Sequence, residues 1–254
     1  MFTIRYLVYL IILISVWSCG STNKYLYFNN LQKGEADDTS YIHPLIIQSG
    51  DVLQVTVTTI DPTISGLFNP NSNIAGAAIN NPIQQGYLVD RDGNIELPLV
   101  GKIYVKGKST SEINEAVKEE LGKTIKNAFV ATRLVNFKIS IIGDVARPGT
   151  FNVPNERLSI LDALSLAGDL NISAVRDDVM IIRETNGKKR YISINLNDRS
   201  TLASPNFYLA NNDVIYVKPG PTRVFGNSRG FQIFPYVSSV ISLLLVIYAT
   251  LLRD

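Results

Sequence analysis

Residues 138–154 read Lys138-Ile-Ser-Ile-Ile-Gly-Asp-Val-Ala-Arg-Pro-Gly-Thr-Phe-Asn-Val-Pro154: an apolar β-branched run, a turn, and a second extended run. Pro148 fixes its own φ and Gly149 is free to take φ > 0, so the chain is expected to reverse tightly between two strands. The following residues, 158–168, carry Ser159 and Asp162 near their start and Gly168 at their end, the punctuation of a single helix that packs on such a sheet. Residues 178–183 and 189–196 read as strands on either side of an Asn186-Gly187 turn, and residues 212–219 as the last strand.

Upstream, Ser49-Gly50-Asp51 leads into the β-branched run that starts at Val52, with Val55, Val57 and Thr59 on one face. Asp61-Pro62 ends that strand, and residues 66–85, rich in Asn, Gly and Pro, read as a long surface loop. Residues 87–89 and 94–98 read as two strands joined by a tight turn, Asp92-Gly93 supplying its φ > 0 position. Asp90, Asp92 and Asn94 have the alternate spacing that opens a calcium loop, but the downstream bidentate Glu is missing and Pro98 falls inside the span. After a short strand over 101–108, Ser109 and Glu112 fit a capping box, and Ile113, Val117 and Leu121 give the helix one apolar face. Residues 129–142 return to strand character, and an α+β domain closes near residue 135. The phrase Gly50-Asp51-Val52-Leu53-Gln54-Val55 is echoed by Asn212-Asp213-Val214-Ile215-Tyr216-Val217.

Both ends of the chain point to a membrane. Residues 231–252, FQIFPYVSSVISLLLVIYATLL, carry no charge. Roughly 22 helical residues rise about 33 Å, enough for a hydrocarbon core of about 30 Å. Ser238, Ser239, Ser242, Ala249 and Thr250 lie near one side of that helix, a small or polar stripe suited to helix packing or to lining a pore. The alternative is a lone anchor whose serines bond to their own backbone. Residues 1–18 combine Arg5 with an apolar core of about 11 residues, the layout of a secretory signal. Cys19 follows it directly. Residues 19–40 are polar, with an acidic cluster at Glu35, Asp37 and Asp38, and read as a tether.

These motifs resemble known families. The stretch around Cys19 resembles the lipobox of bacterial lipoproteins, which implies cleavage before Cys19 and acylation of that residue. The 138–154 hairpin resembles the opening of an SLBB domain, a β-grasp module, whose G-x-V-x-x-P-G turn matches Gly143, Val145, Pro148 and Gly149. Taken together, residues 41–219 resemble the Wza-like polysaccharide export lipoproteins of the outer membrane. The resemblance implies an α+β chain: signal peptide 1–18, lipidated tether 19–40, polysaccharide export domain 41–135, one SLBB domain 136–219, linker 220–230 and transmembrane helix 231–252. It also implies a homo-oligomeric ring in the outer membrane that passes capsular or extracellular polysaccharide, with an inner-membrane polysaccharide co-polymerase as partner.

Composition limits the alternatives. A net charge of +2 over 254 residues gives no support to nucleic acid as a partner. One cysteine and one histidine, His43, leave no Cys/His metal site or disulfide framework. The scattered carboxylates form no catalytic pair, and no phosphate loop or dinucleotide fingerprint occurs, so neither a cofactor nor an enzyme is expected. The competing reading is a membrane-anchored ligand-binding or scaffold protein without a pore.

Overall fold

The computed structural model describes residues 26–31, 34, 44–69, 86–125, 127–185, 187–221, 223 and 229–251. The run beginning at Val52 forms β1 (Val52–Thr58), buried at Val52, Leu53, Val55 and Val57. It is the central strand of a three-stranded antiparallel sheet, with β2 (Tyr87–Leu88) on one side and β5 (Phe129–Leu134) on the other. Against this sheet packs α2 (Thr110–Gly122), whose capping box is complete. Ser109 Oγ accepts from the Glu112 N–H, and Glu112 Oε2 accepts from the Ser109 N–H at 2.7 Å. Ile113, Val117 and Leu121 form its buried face, as their four-residue spacing predicts.

Three local expectations change. β1 ends at Thr58, before Thr59 and short of Asp61-Pro62, which instead starts a helix, α1 (Pro62–Phe68). The Asp61 carboxylate accepts from the Thr63 N–H at 2.8 Å, and Pro62 occupies the first turn, where its missing N–H costs nothing. Helix therefore runs into the stretch read as loop, whose residues 70–85 lie outside the described set. The Asp90–Asn94 turn forms, with Gly93 at φ 89°, but the strands flanking it belong to different sheets: β3 (Asn94–Leu97) pairs instead with β4 (Gly101–Tyr104). Strand character over 129–142 divides between β5 and β6 (Lys138–Gly143), which lie in separate sheets.

The second sheet has the order β7-β6-β10-β8-β9, formed by β6, β7 (Gly149–Asn152), β8 (Ala174–Thr185), β9 (Lys188–Ile194) and β10 (Val214–Pro219). Only β6 and β10 run parallel; the other pairs are antiparallel. Helix α3 (Ile160–Leu166) covers one face with Ile160, Ala163 and Leu164, and carries a second complete capping box between Ser159 and Asp162. The observed α+β architecture is thus a three-stranded and a five-stranded sheet, each packed by a helix, with the two-stranded β3–β4 hairpin beside them, and one continuous buried apolar cluster runs through all three.

Beyond a short connection lies α4 (Arg229–Leu251), a 23-residue helix containing Pro235. Its described apolar side chains, from Ile233 to Ile247, are 45 to 73% exposed. Among the described residues no helix is long and apolar enough to cross a membrane. The expectation of a transmembrane helix over 231–252 is therefore met as a helix only. The side chains of residues 229–232, 245 and 248–251, and residue 252 itself, lie outside the described residues.

Candidate functional site

Gly143 ends β6 at φ 102°, beside Val217, its register partner on the parallel strand β10. A Cβ at Gly143 would lie well inside contact distance of the Val217 carbonyl, which is itself fixed by the Asp144 N–H at 3.0 Å. Only glycine fits there. Gly149, by contrast, is not among the residues with positive φ, and the nearest atom to a Cβ there is Phe151 Cζ at 4.0 Å. The expectation that Gly149 supplies φ > 0 is corrected: the left-handed position of the motif is Gly143.

The reversal between β6 and β7 also does more than turn. Val145, 4% exposed, bridges Leu170, and the N–H groups of Ala146 and Arg147 donate to the carbonyls of Asp169 and Ala167 at 3.1 and 2.8 Å. The turn thereby satisfies carbonyls that the end of α3 leaves unpaired. Gly168 and Asp169, both at φ 75°, form the left-handed exit from that helix. Pro148 stays exposed at the rim.

Next to Gly143, the Asp144 side chain is fully buried. It accepts from Asn171 Nδ2 at 2.7 Å and Ser173 Oγ at 2.6 Å, and it pairs with Arg223. Burial works to raise its pKa, but the Ser173, Asn171 and Arg223 donors outweigh it and hold the carboxyl below the usual carboxylate range. Since Arg223 lies between β10 and α4, this ion pair ties the connection leading to α4 back onto the sheet. Gly220 adds a second tie, its N–H donating to the Ser173 carbonyl at 2.8 Å.

The echo between residues 50–55 and 212–217 is one turn built twice. Gln48 N–H donates to Asp51 Oδ2 and Ala210 N–H to Asp213 Oδ2, each at 2.8 Å, and Gly50 and Asn212 hold the preceding position at φ 92° and 64°. Asn211 joins the two copies: its Nδ2 donates to Asp51 at 2.7 Å while its Oδ1 accepts from the Lys138 N–H. The environments nevertheless differ. Asp213 has the Arg183 guanidinium at 2.6 Å. Burial raises the Asp51 pKa, and among the described residues the Gln48 and Asn211 donors offset it only in part.

The tether reading also needs correction. Phe28 and Asn29 donate their N–H groups to the carbonyls of Leu196 and Asn197 at 3.0 and 2.9 Å, while Asn30 Nδ2 donates to Asp198 Oδ1 and Asn30 Oδ1 accepts from the Arg199 backbone N–H. Tyr27 bonds Asp169 through its hydroxyl and lies under the Arg176 guanidinium, 5.6 Å from the ring centroid. Residues 26–31 are therefore docked on the second sheet, through backbone pairing that a polar sequence without periodicity does not announce. Cys19, residues 1–18, the acidic cluster at 35–38 and His43 lie outside the described residues.

On α4, Ser238 and Ser239 donate to the carbonyls of Pro235 and Tyr236 at 2.9 and 2.8 Å, bonds to their own helix, and Ser242 is exposed. The side chains of Ala249 and Thr250 lie outside the described set. Among the described residues no group of three or more His, Cys, Asp or Glu side chains could hold a metal ion. Asp90 uses its carboxylate on the Asn94 N–H within its own turn.

A family model described as polysaccharide biosynthesis/export protein matches residues 41–135, and one described as an SLBB domain matches residues 137–217. The chain is 27% identical over 156 residues to the EPS I polysaccharide export outer membrane protein EpsA of Ralstonia solanacearum, covering 59% of this chain and 41% of the relative. It is 25% identical over 183 residues to EpsA of Ralstonia nicotianae, covering 69% and 47%. To the capsule polysaccharide export outer membrane protein CtrA of Neisseria meningitidis serogroup B it is 26% identical over 142 residues, covering 52% and 36%. The chain spans less than half the length of these relatives.

Proposed function

The chain belongs to the polysaccharide biosynthesis/export protein family, with an SLBB domain, and from that premise we propose that it is a non-enzymatic subunit of an outer-membrane conduit for capsular or extracellular polysaccharide. The observation that carries this reading is the order of the two matches, 41–135 then 137–217, in a chain similar to proteins named for polysaccharide export at the outer membrane. A conduit needs a closed ring of copies, since one helix cannot enclose a lumen. In this reading the copies assemble through their sheets, and α4 supplies one stave each.

The exposure of α4 supports the same reading. Its apolar residues face outward on all sides, from Ile233 and Phe234 to Val246 and Ile247, and such a surface requires lipid or neighbouring helices around it. Ser238, Ser239 and Ser242 then mark the side turned to neighbours or lumen, where their hydroxyls exchange bonds within the helix for bonds across it or to water. Acylation at Cys19 holds the other end of the chain on the membrane, and the main domains lie in the periplasm, within reach of an inner-membrane co-polymerase. Deleting residues 229–254 tests the proposal. Surface polysaccharide is expected to vanish while the truncated protein still folds; unchanged export would overturn it.

A further inference from the structure

A cleft of about 380 Å³ opens where the segment leading into β1 meets the second sheet, and its wall carries three guanidinium groups, those of Arg157, Arg183 and Arg190. Its origin lies in the register of β8 and β9. The core-facing row of β8 runs Val179, Ile181, both fully buried, and then continues at two-residue steps into Arg183 and Thr185. The facing row of β9 runs Ile194, Ile192 and then Arg190 and Lys188. At the rim of the core the apolar rows thus become cationic.

Arg183 and Arg190 are direct cross-strand partners, so their side chains emerge side by side on one face. Like charges so placed repel. On the opposite face the next pair is complementary, Glu184 against Lys189, so the strands are not simply basic throughout. Arg183 is fixed by Asp213, to which its Nε and Nη2 donate at 2.9 and 2.6 Å, and by the Tyr208 carbonyl at 3.2 Å. Among the described residues neither Arg157 nor Arg190 has a carboxylate partner, and both are exposed. The rest of the wall suits a sugar ring: Tyr208 and Leu45 offer apolar surface, and Glu156 offers an acceptor for hydroxyls.

We infer that this cleft binds the carboxylate of an acidic sugar unit, with Arg157 and Arg190 as its guanidinium clamp and Arg183 as the fixed cation beneath them. Guanidinium groups pair with carboxylates in two parallel hydrogen bonds, and Arg157 and Arg190, unlike Arg183, have no carboxylate partner among the described residues. The volume lies within the range of small-ligand sites, about 300–1,000 Å³. The inference rests on the export reading for its choice of polymer and makes that polymer an acidic one.

The test is titration calorimetry on the full chain in detergent, with tetragalacturonate and its fully methyl-esterified form as probes. The acid is expected to bind at least about tenfold more tightly than the ester, and Arg157→Gln or Arg190→Gln to weaken the acid by about tenfold. Lys189→Gln removes the same charge from the opposite face of β9 and should leave the affinity within about twofold. Thermal melts of all three variants establish that they fold. Equal binding of acid and ester, no binding of the acid, or an equal loss in Lys189→Gln would each overturn the site. The two readings fail separately. Acid binding that obeys these rules in a chain dispensable for export keeps the site and sinks the conduit, whereas indifference to the carboxylate in a chain required for export sinks the site alone.

Discussion

Replacing Gly143 by alanine should damage this fold far more than the same change at Gly149, although both glycines belong to the G-x-V-x-x-P-G turn. At Gly143 two penalties add. An alanine at φ 102° leaves the regions open to L-residues, at a cost of roughly 1–2 kcal/mol. Its methyl group would also press on the Val217 carbonyl. That carbonyl cannot retreat without giving up the Asp144 N–H, and overpacking of this kind costs about 1–3 kcal/mol. The sum, about 2–5 kcal/mol, corresponds to roughly 4–20 °C in Tm for a protein of this size. At Gly149 the φ is ordinary and the nearest atom is at 4.0 Å, so alanine should change stability by less than about 1 kcal/mol. Urea unfolding of the two variants, compared at equal slope, measures the difference. Equal losses, or a larger loss at Gly149, would refute the assignment of the left-handed position.

The remaining predictions concern charges and the N-terminal segment. Arg183→Met leaves Asp213 buried without a cation and should cost about 3–5 kcal/mol by urea unfolding. Asp144 and Asp51 should show opposite pH dependence. The folded-state pKa of Asp144 is lowered, so its stabilisation is present above the unfolded value of about 3.9 and is lost as pH falls through the folded value. Asp144→Asn should therefore cost more at neutral pH than at about pH 3. For Asp51 the folded value is raised, so its relative stabilisation is present below the unfolded value and is lost as pH rises through the folded one. Asp51→Asn should accordingly cost less at neutral pH than in acid. Tyr27→Ala should undock residues 26–31, seen as faster hydrogen exchange at the Phe28 and Asn29 amides with little change in global unfolding.

Much of the fold was legible because it is encoded locally. The capping boxes at Ser109 and Ser159, the apolar face of α2 and the turn at Gly93 depend on residues within a few positions of one another. Helix α1 was legible in principle, since an aspartate before a proline caps a helix. What sequence alone left out is what distant segments decide. Whether β3 pairs with β2 or β4, that Gly143 faces Val217, that Asp144 holds Arg223 and that residues 26–31 lie on the second sheet are all set by non-local contacts. The cationic cleft carried a partial trace. Arg183, Asn186-Gly187 and Arg190 stand around one hairpin turn, so a register counted outward from that turn brings the two arginines face to face.

A conduit built from this chain requires a ring of copies around a lumen. Electron microscopy of the full chain, purified from membranes in mild detergent, tests it most directly. Closed rings with a central channel and a narrower helical collar formed by residues 229–251 are expected. Isolated single copies, with α4 enclosing nothing, would contradict it.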